Sequence, residues 1–228
     1  MTALALLLLL ASPCAAGADD SLKELSVDHG GRARTALVGS PKGKAKGVLL
    51  LLRGRQGVES FRTATRRELE GLALKDGFVF AYPEPVANIY NDGRGFAGFP
   101  SQAQDVDDSG FLWALAERLG KDYGAKEGPV YAVGFAAGAF MVQRLVCEND
   151  GRLKGAVSVA GTLSRPLARS CAQARPVPVM LVAGDADPFN GWKEGVVHIA
   201  GIEQGRMLSP ERTLALWGKI FRCGAPKR

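Results

Sequence analysis

Histidine is scarce in this 228-residue chain: it occurs twice, at His29 and His198. A mechanism that needs an imidazole base therefore has two candidates. The four cysteines, at 14, 147, 171 and 223, show no Cys-x-x-Cys or Cys/His spacing, which argues against a structural zinc site. The stretch GFAAGAF lacks the Lys-Ser/Thr of a phosphate loop and the glycine spacing of a dinucleotide fingerprint. No metal and no cofactor is therefore expected. Aromatic residues make up only 7% of the chain, and none alternates with basic residues. The excess of 29 Lys and Arg over 23 Asp and Glu is scattered in small groups, Arg53/Arg55 and Arg62/Arg66/Arg67. This favours a solvated basic face over a nucleic-acid groove. No repeat, low-complexity tract or internal linker interrupts the chain.

What is present begins with MTALALLLLLASPCAAGA, a short apolar run followed by small residues. It reads as a secretory signal peptide, residues 1–18, cut near Ala18 and leaving 19–228 as one domain. The run is too short for a comfortable membrane span, and Pro13 fits poorly with lipidation of Cys14, so no stable membrane anchor is expected. Location outside the cytoplasm, secreted or periplasmic, follows from this reading. There Cys147, Cys171 and Cys223 meet an oxidising environment. A bridge between Cys147 and Cys171 is one reading and a buried free thiol at Cys147 is the other; Cys223 is left over.

Short apolar runs recur at 47–52, 78–82, 130–135, 155–160 and 177–184, each bounded by Gly, Pro or charge. Such runs suit strands buried on both faces of a parallel sheet. Helical patterns lie between them at 61–74, 109–123, 139–148 and 209–221. Ser209 followed by Pro210 makes an N-cap and first-turn pair. The alternation predicts a doubly wound, mostly parallel α/β sheet. Ahead of it, ELSVDHGGRARTALVGSP predicts an antiparallel hairpin turning at His29-Gly30-Gly31. The segment 85–105, rich in Gly, Asn and aromatics, predicts a long surface loop of the kind that carries substrate contacts.

One stretch points to chemistry. VYAVGFAAGAF, residues 130–140, has the strand-turn-helix layout of a G-x-S-x-G nucleophile elbow, with alanine at position 136 in place of serine. A methyl group can neither attack a carbonyl nor donate a proton, so serine-type acyl transfer from this position is excluded. Gly134 and Gly138 keep the turn tight and let the helix pack closely. Asp105, Asp107 and Asp108 cluster at a helix start, where capping and the helix dipole account for them. Ser158 imitates a nucleophile pattern but lies in an apolar strand and is expected to be buried.

Taken in order, GFVFAYPEP, YNDGRG, DVDDSGFLWALAERLGKDYG, VYAVGFAAGAFMVQRLVCE, GAVSVAG, RPVPVMLVAGDADP and LALWGKIFRCG resemble the secreted polyhydroxybutyrate depolymerase and feruloyl esterase-like α/β-hydrolases, from about Glu24 to Gly224. The resemblance implies an α/β-hydrolase fold, with Ala136 at the nucleophile position and Asp187 at the acid position. Asp187 also reads as a turn cap before Pro188. The amides of Gly54 and Ala137 fall where an oxyanion hole would form. Arg53-Gly54-Arg55-Gln56-Gly57 stands where the family usually reads His-Gly; the arginine pair either turns the site towards a carboxylate or phosphate, or sits at a loop rim. The resemblance places the triad histidine after a last strand, so that strand and its helix are expected to be missing. His198 then stands either as a structural histidine or as a relocated base. The implied function is a degenerate carboxylic-ester hydrolase holding a small ester or polyester-derived ligand, framed by 53–57, 88–98 and Ala136. The alternative is an active esterase with an altered elbow. An uncovered sheet edge would also permit self-association.

Overall fold

The computed structural model describes residues 22–65, 67–199 and 201–224. The leader read at 1–18 and Arg66 lie outside the described residues. The chain enters through β1 (Lys23–His29) and β2 (Arg32–Gly39), and the turn between them places Gly30 and Gly31 at φ of 58° and 71°. Two consecutive left-handed residues match the twist of a two-residue hairpin, and glycine adopts them without a Cβ penalty.

Next come β3 (Gly47–Leu52), α1 (Val58–Ala64), α2 (Glu68–Lys75), β4 (Phe78–Pro83), α3 (Pro100–Ala103) and α4 (Asp108–Asp122). The second half holds β5 (Val130–Phe135), α5 (Ala137–Cys147), β6 (Leu153–Val159), α6 (Arg165–Ala168) and β7 (Val179–Val182). A hairpin of β8 (Gly195–Ile199) and β9 (Ile202–Met207) precedes α7 (Pro210–Ile220). The main sheet has the order β1-β2-β4-β3-β5-β6-β7, antiparallel from β1 to β4 and parallel from β4 to β7. Among the described residues no helix is long and apolar enough to cross a membrane.

Alternation along the strands supplies two cores. Val48, Leu50, Leu52, Val79, Ala81 and Ala132 face α4, α5 and α7. Leu51, Phe80 and Tyr82 face the other way, onto Val58, Phe61 and Ala73 of α1 and α2. On that second side Tyr131, Val133, Gly155, Val157 and Met180 line an apolar groove of about 360 Å³. At the outer strand β7, Met180 and Val182 are exposed.

The single helix expected over 61–74 is two helices, broken at Arg67, whose φ is 56°. A buried polar cluster surrounds the break. The Arg62 guanidinium donates to Glu70 through Nε at 2.6 Å, and the Tyr82 hydroxyl donates to the same carboxylate at 2.8 Å. Burial, reinforced by that carboxylate, pushes the Tyr82 hydroxyl far above the ordinary phenol range, so it stays protonated as a donor.

Cys147, at the end of α5, is bridged to Cys171, 24 positions along the chain, and Cys223 is free and exposed. A loop of this length restricts the unfolded chain by about 3 kcal/mol. Replacing both Cys147 and Cys171 by alanine is therefore expected to lower Tm by about 6–12 °C in scanning calorimetry. An unchanged transition would show that the bridge does not limit stability.

Candidate functional site

The turn from β5 into α5 is held in a strained conformation. Ala136 has φ 50° and ψ −112°, a backbone arrangement that costs a non-glycine residue about 1–3 kcal/mol. Its surroundings enforce it. The Ala136 amide donates to the Val159 carbonyl at 2.9 Å, and its own carbonyl accepts from Ala139 at 3.0 Å. Gly134 and Gly138 leave no room for side chains: a Cβ on Gly134 would fall 2.3 Å from the Gly138 carbonyl oxygen. A buried relay runs behind the turn. The Trp217 indole donates to Gln143 at 2.8 Å, Gln143 donates to Ser158 at 2.9 Å, and Ser158 donates to the Ala139 carbonyl at 3.1 Å. Ser158 is thus fully buried and fixes the first turn of α5.

The loop after β3 lies against this turn. A Cβ on Gly54 would stand 3.5 Å from the Ala136 Cβ. Among the described residues neither the Gly54 nor the Ala137 amide has an acceptor within the protein, so both are free to donate to a ligand. The structure therefore brings together Ala136, Ala137 and Gly54, with two amides that lack an acceptor among the described residues.

Arg53 is neither a rim residue nor an open anion site. It is 5% exposed and forms an ion pair with Glu84. It also donates to the Gly54 carbonyl at 3.0 Å and to the Asn88 Oδ1 at 2.7 Å. The guanidinium braces the loop from within, and its charge is already matched. Arg55 is the exposed member of the pair, with its guanidinium 5.9 Å from the Phe99 ring centre.

The 85–105 segment is a braced wall rather than a free loop. Arg94 pairs with the buried Asp92 at 2.7 Å and lies over the Phe140 ring at 4.3 Å, in the first turn of α5. Asn91 is fixed from both sides: its amide donates to Asp108 at 2.6 Å, and its carbonyl accepts from Arg144 at 2.5 Å. Within the acidic cluster, Asp107 caps α4 by accepting from the Gly110 amide at 2.8 Å. Burial works to raise the Asp107 carboxyl, but the Gly110 amide and His29 together hold it below the usual carboxylate range.

The remaining predicted residues are not assembled into a triad. The Asp187 Oδ1 accepts from the amides of Phe189 at 2.8 Å and Asn190 at 2.9 Å, in the manner of a turn cap. His29, on β1, bonds Asp107 at 2.9 Å. His198 is an exposed residue of β8, opposite Glu203. Among the described residues no hydrogen bond joins either histidine to Asp187. Sequence reading missed the bracing by Glu84 and Asn88, and also the buried pair of Asp92 and Arg94. The only signal for the latter was the charge within YNDGRG.

No protein-family model matches the chain. Among curated proteins it is 32% identical over 150 residues to "Putative esterase NocK" of Nocardia uniformis subsp. tsuyamanensis, an alignment that takes in 65% of this chain. The chain spans 42% of the length of that relative. Among solved structures, a thermostable esterase superposes with a TM-score of 0.57 at 12% identity, covering 88% of this chain and 51% of its own. Poly(aspartic acid) hydrolase-1 from Sphingomonas sp. KT-1 gives 0.54 at 17% identity, covering 73% and 72%. A cold-adapted esterase from an Arctic intertidal metagenomic library gives 0.54 at 18%, covering 89% and 82%. These likenesses show the fold: a mostly parallel α/β sheet with an antiparallel hairpin, the α/β-hydrolase fold.

Proposed function

We propose that this chain is an exported, catalytically silent protein of carboxylic-ester hydrolase lineage, of the polyhydroxybutyrate depolymerase and feruloyl esterase type, which holds a small ester or acid without cleaving it. The observation that carries this reading is the methyl group at the apex of an otherwise intact elbow. Two amides without acceptors, those of Gly54 and Ala137, lie beside that apex, which favours binding of a carbonyl or carboxylate oxygen. The acid position is occupied by a turn cap, and neither histidine is bonded to it. The disulfide supports export, because such bridges persist in oxidising compartments.

The second reading, an active esterase with an altered elbow, draws on the same retained turn. Nitrophenyl butyrate hydrolysis separates the two when the natural chain is run beside Ala136→Ser and the double variant Ala136→Ser with Asp187→Asn. Loss of a triad nucleophile alone lowers kcat by about a million-fold, and here no base is positioned to activate a restored one. All three proteins are therefore expected to remain at the level of the blank. Turnover in Ala136→Ser that the asparagine lowers would instead establish a working Asp187 and a base serving it.

A further inference from the structure

A second cavity, distinct from the Ala136 elbow, lies between the turn after β6, the 188–193 loop and the β8–β9 hairpin. It encloses about 260 Å³, and its lining includes Thr162, Phe189, Asn190, Lys193, His198 and Met207. Val197 and Met207 of its lining pack with Phe140 in one apolar cluster.

Polar groups without partners converge here. Thr162 is 4% exposed, yet its hydroxyl makes no hydrogen bond among the described residues. The Asn190 Oδ1 is buried and receives no donor. The orientation of that amide is fixed, since its Nδ2 donates to the Ala160 carbonyl at 2.8 Å and a flipped group would set two oxygens against each other. The same residue is tied through its backbone to Asp187, so the acceptor is held in place. Lys193 and His198 are exposed and have no acidic partner among the described residues, whereas neighbouring Glu194 pairs with Arg165 and Arg212. Phe189 is 52% exposed at the rim.

A single cavity that gathers the unpartnered Thr162 hydroxyl and an unmatched Lys193 ammonium has a ligand's complement. The Thr162 hydroxyl, without a partner among the described residues, suits a ring hydroxyl. The unmatched Lys193 ammonium calls for a negative charge. The exposed Phe189 ring and the Met207 wall suit the apolar C–H face of a sugar ring. The volume lies just below the usual range for small-molecule sites and accommodates one ring.

We propose that this cavity binds a monosaccharide acid, with its carboxylate towards Lys193 and a ring hydroxyl on the Thr162 hydroxyl. The inference is independent of catalysis at position 136. It is tested by calorimetric titration of the full chain with D-glucuronate, D-glucose and acetate. Glucuronate is expected to bind saturably, with glucose and acetate each at least about 10-fold weaker, the effect of losing a hydrogen bond to a charged or buried group. Thr162→Val and Lys193→Gln are each expected to weaken glucuronate about 10-fold, and Lys193→Gln to erase the preference over glucose. Because Lys193 is exposed, its variant folds even if the Thr162 variant does not, and thermal transitions check both. Absence of saturation, equal binding of acetate or glucose, or affinity indifferent to Lys193→Gln would each overturn the proposal.

Discussion

Gly138→Ala is expected to destabilise the protein by about 4 kcal/mol or more, a quarter or more of a net stability of about 5–15 kcal/mol. A Cβ at this position would stand 1.9 Å from the Leu52 carbonyl oxygen, 2.4 Å from its carbon and 2.8 Å from the Arg53 carbonyl oxygen. All three are backbone atoms of β3 and the loop beyond it, so no rotamer change relieves the contact. Leu52 is also locked in register with Gly134 of β5, the strand that feeds α5. Accommodation therefore means moving the helix off the sheet, and ordinary overpacking by side chains already costs about 1–3 kcal/mol. Gly71→Ala on α2 is the control: nothing lies within 4 Å of its Cβ position, and a gain of about 0.5–1 kcal/mol is expected from helix propensity. Urea denaturation of both variants checks the result. A loss below about 1 kcal/mol for Gly138→Ala would mean that α5 slides freely on β3.

Asp108→Ala is expected to cost about 3–5 kcal/mol, for an electrostatic reason. Asp108 is fully buried, its Oδ1 lies 2.5 Å from the Arg34 guanidinium, and its Oδ2 accepts the Asn91 amide at 2.6 Å. Arg34 is itself buried, over the Phe111 ring at 4.0 Å. Removing the carboxylate leaves a guanidinium in the core, with the Glu84 carbonyl as its remaining partner. The double variant Arg34→Met with Asp108→Leu is expected to be more stable than either single change, because it removes both charges together. Additive losses would show that the pair carries net stability of its own.

The pH dependence has a definite sign. Burial raises the Asp108 carboxyl above the ordinary range despite Arg34 and the Asn91 amide, which act to lower it. The native state then holds this proton more tightly than the unfolded chain does. The contribution of Asp108 is most favourable below the ordinary aspartate pKa and declines as pH rises through the raised one. This slope should disappear in the double variant.

The sequence made strands more legible than polar contacts. Five apolar runs became β3, β4, β5, β6 and β7; burial on both faces writes itself into continuous hydrophobic stretches in β3 and β4, whereas β7 leaves Met180 and Val182 exposed. The hairpin and its two glycines were equally visible, as was the Ser209 cap, which accepts from the Arg212 amide at 3.1 Å. The break at Arg67 was not, since it accompanies contacts between Arg62, Glu70 and Tyr82 that local periodicity does not contain. Arg53 and Arg55 looked like a pair, yet one is buried against Glu84 and the other faces solvent. Two residues apart in sequence says nothing of which charge finds a partner across the fold. The composition left Cys147 open between a thiol and a bridge; a partner brought close by the path of the chain decides it. The cavity at Thr162 draws on segments from β6 to β9, and no single motif announces it.

The two borders of the main sheet differ in kind. β1 carries Lys23, Glu24, Asp28 and His29, so a foreign strand would meet charge along its length. β7 has none, and offers a short apolar template for unwanted pairing. Pro176 and Pro178 stand immediately before it as gatekeepers: neither has an N–H to continue a ladder, and the Pro178 carbonyl is already engaged inward by the Ala156 amide at 3.0 Å. Pairing with a foreign strand is thereby blocked on the N-terminal side of Val179, and the apolar template begins only there.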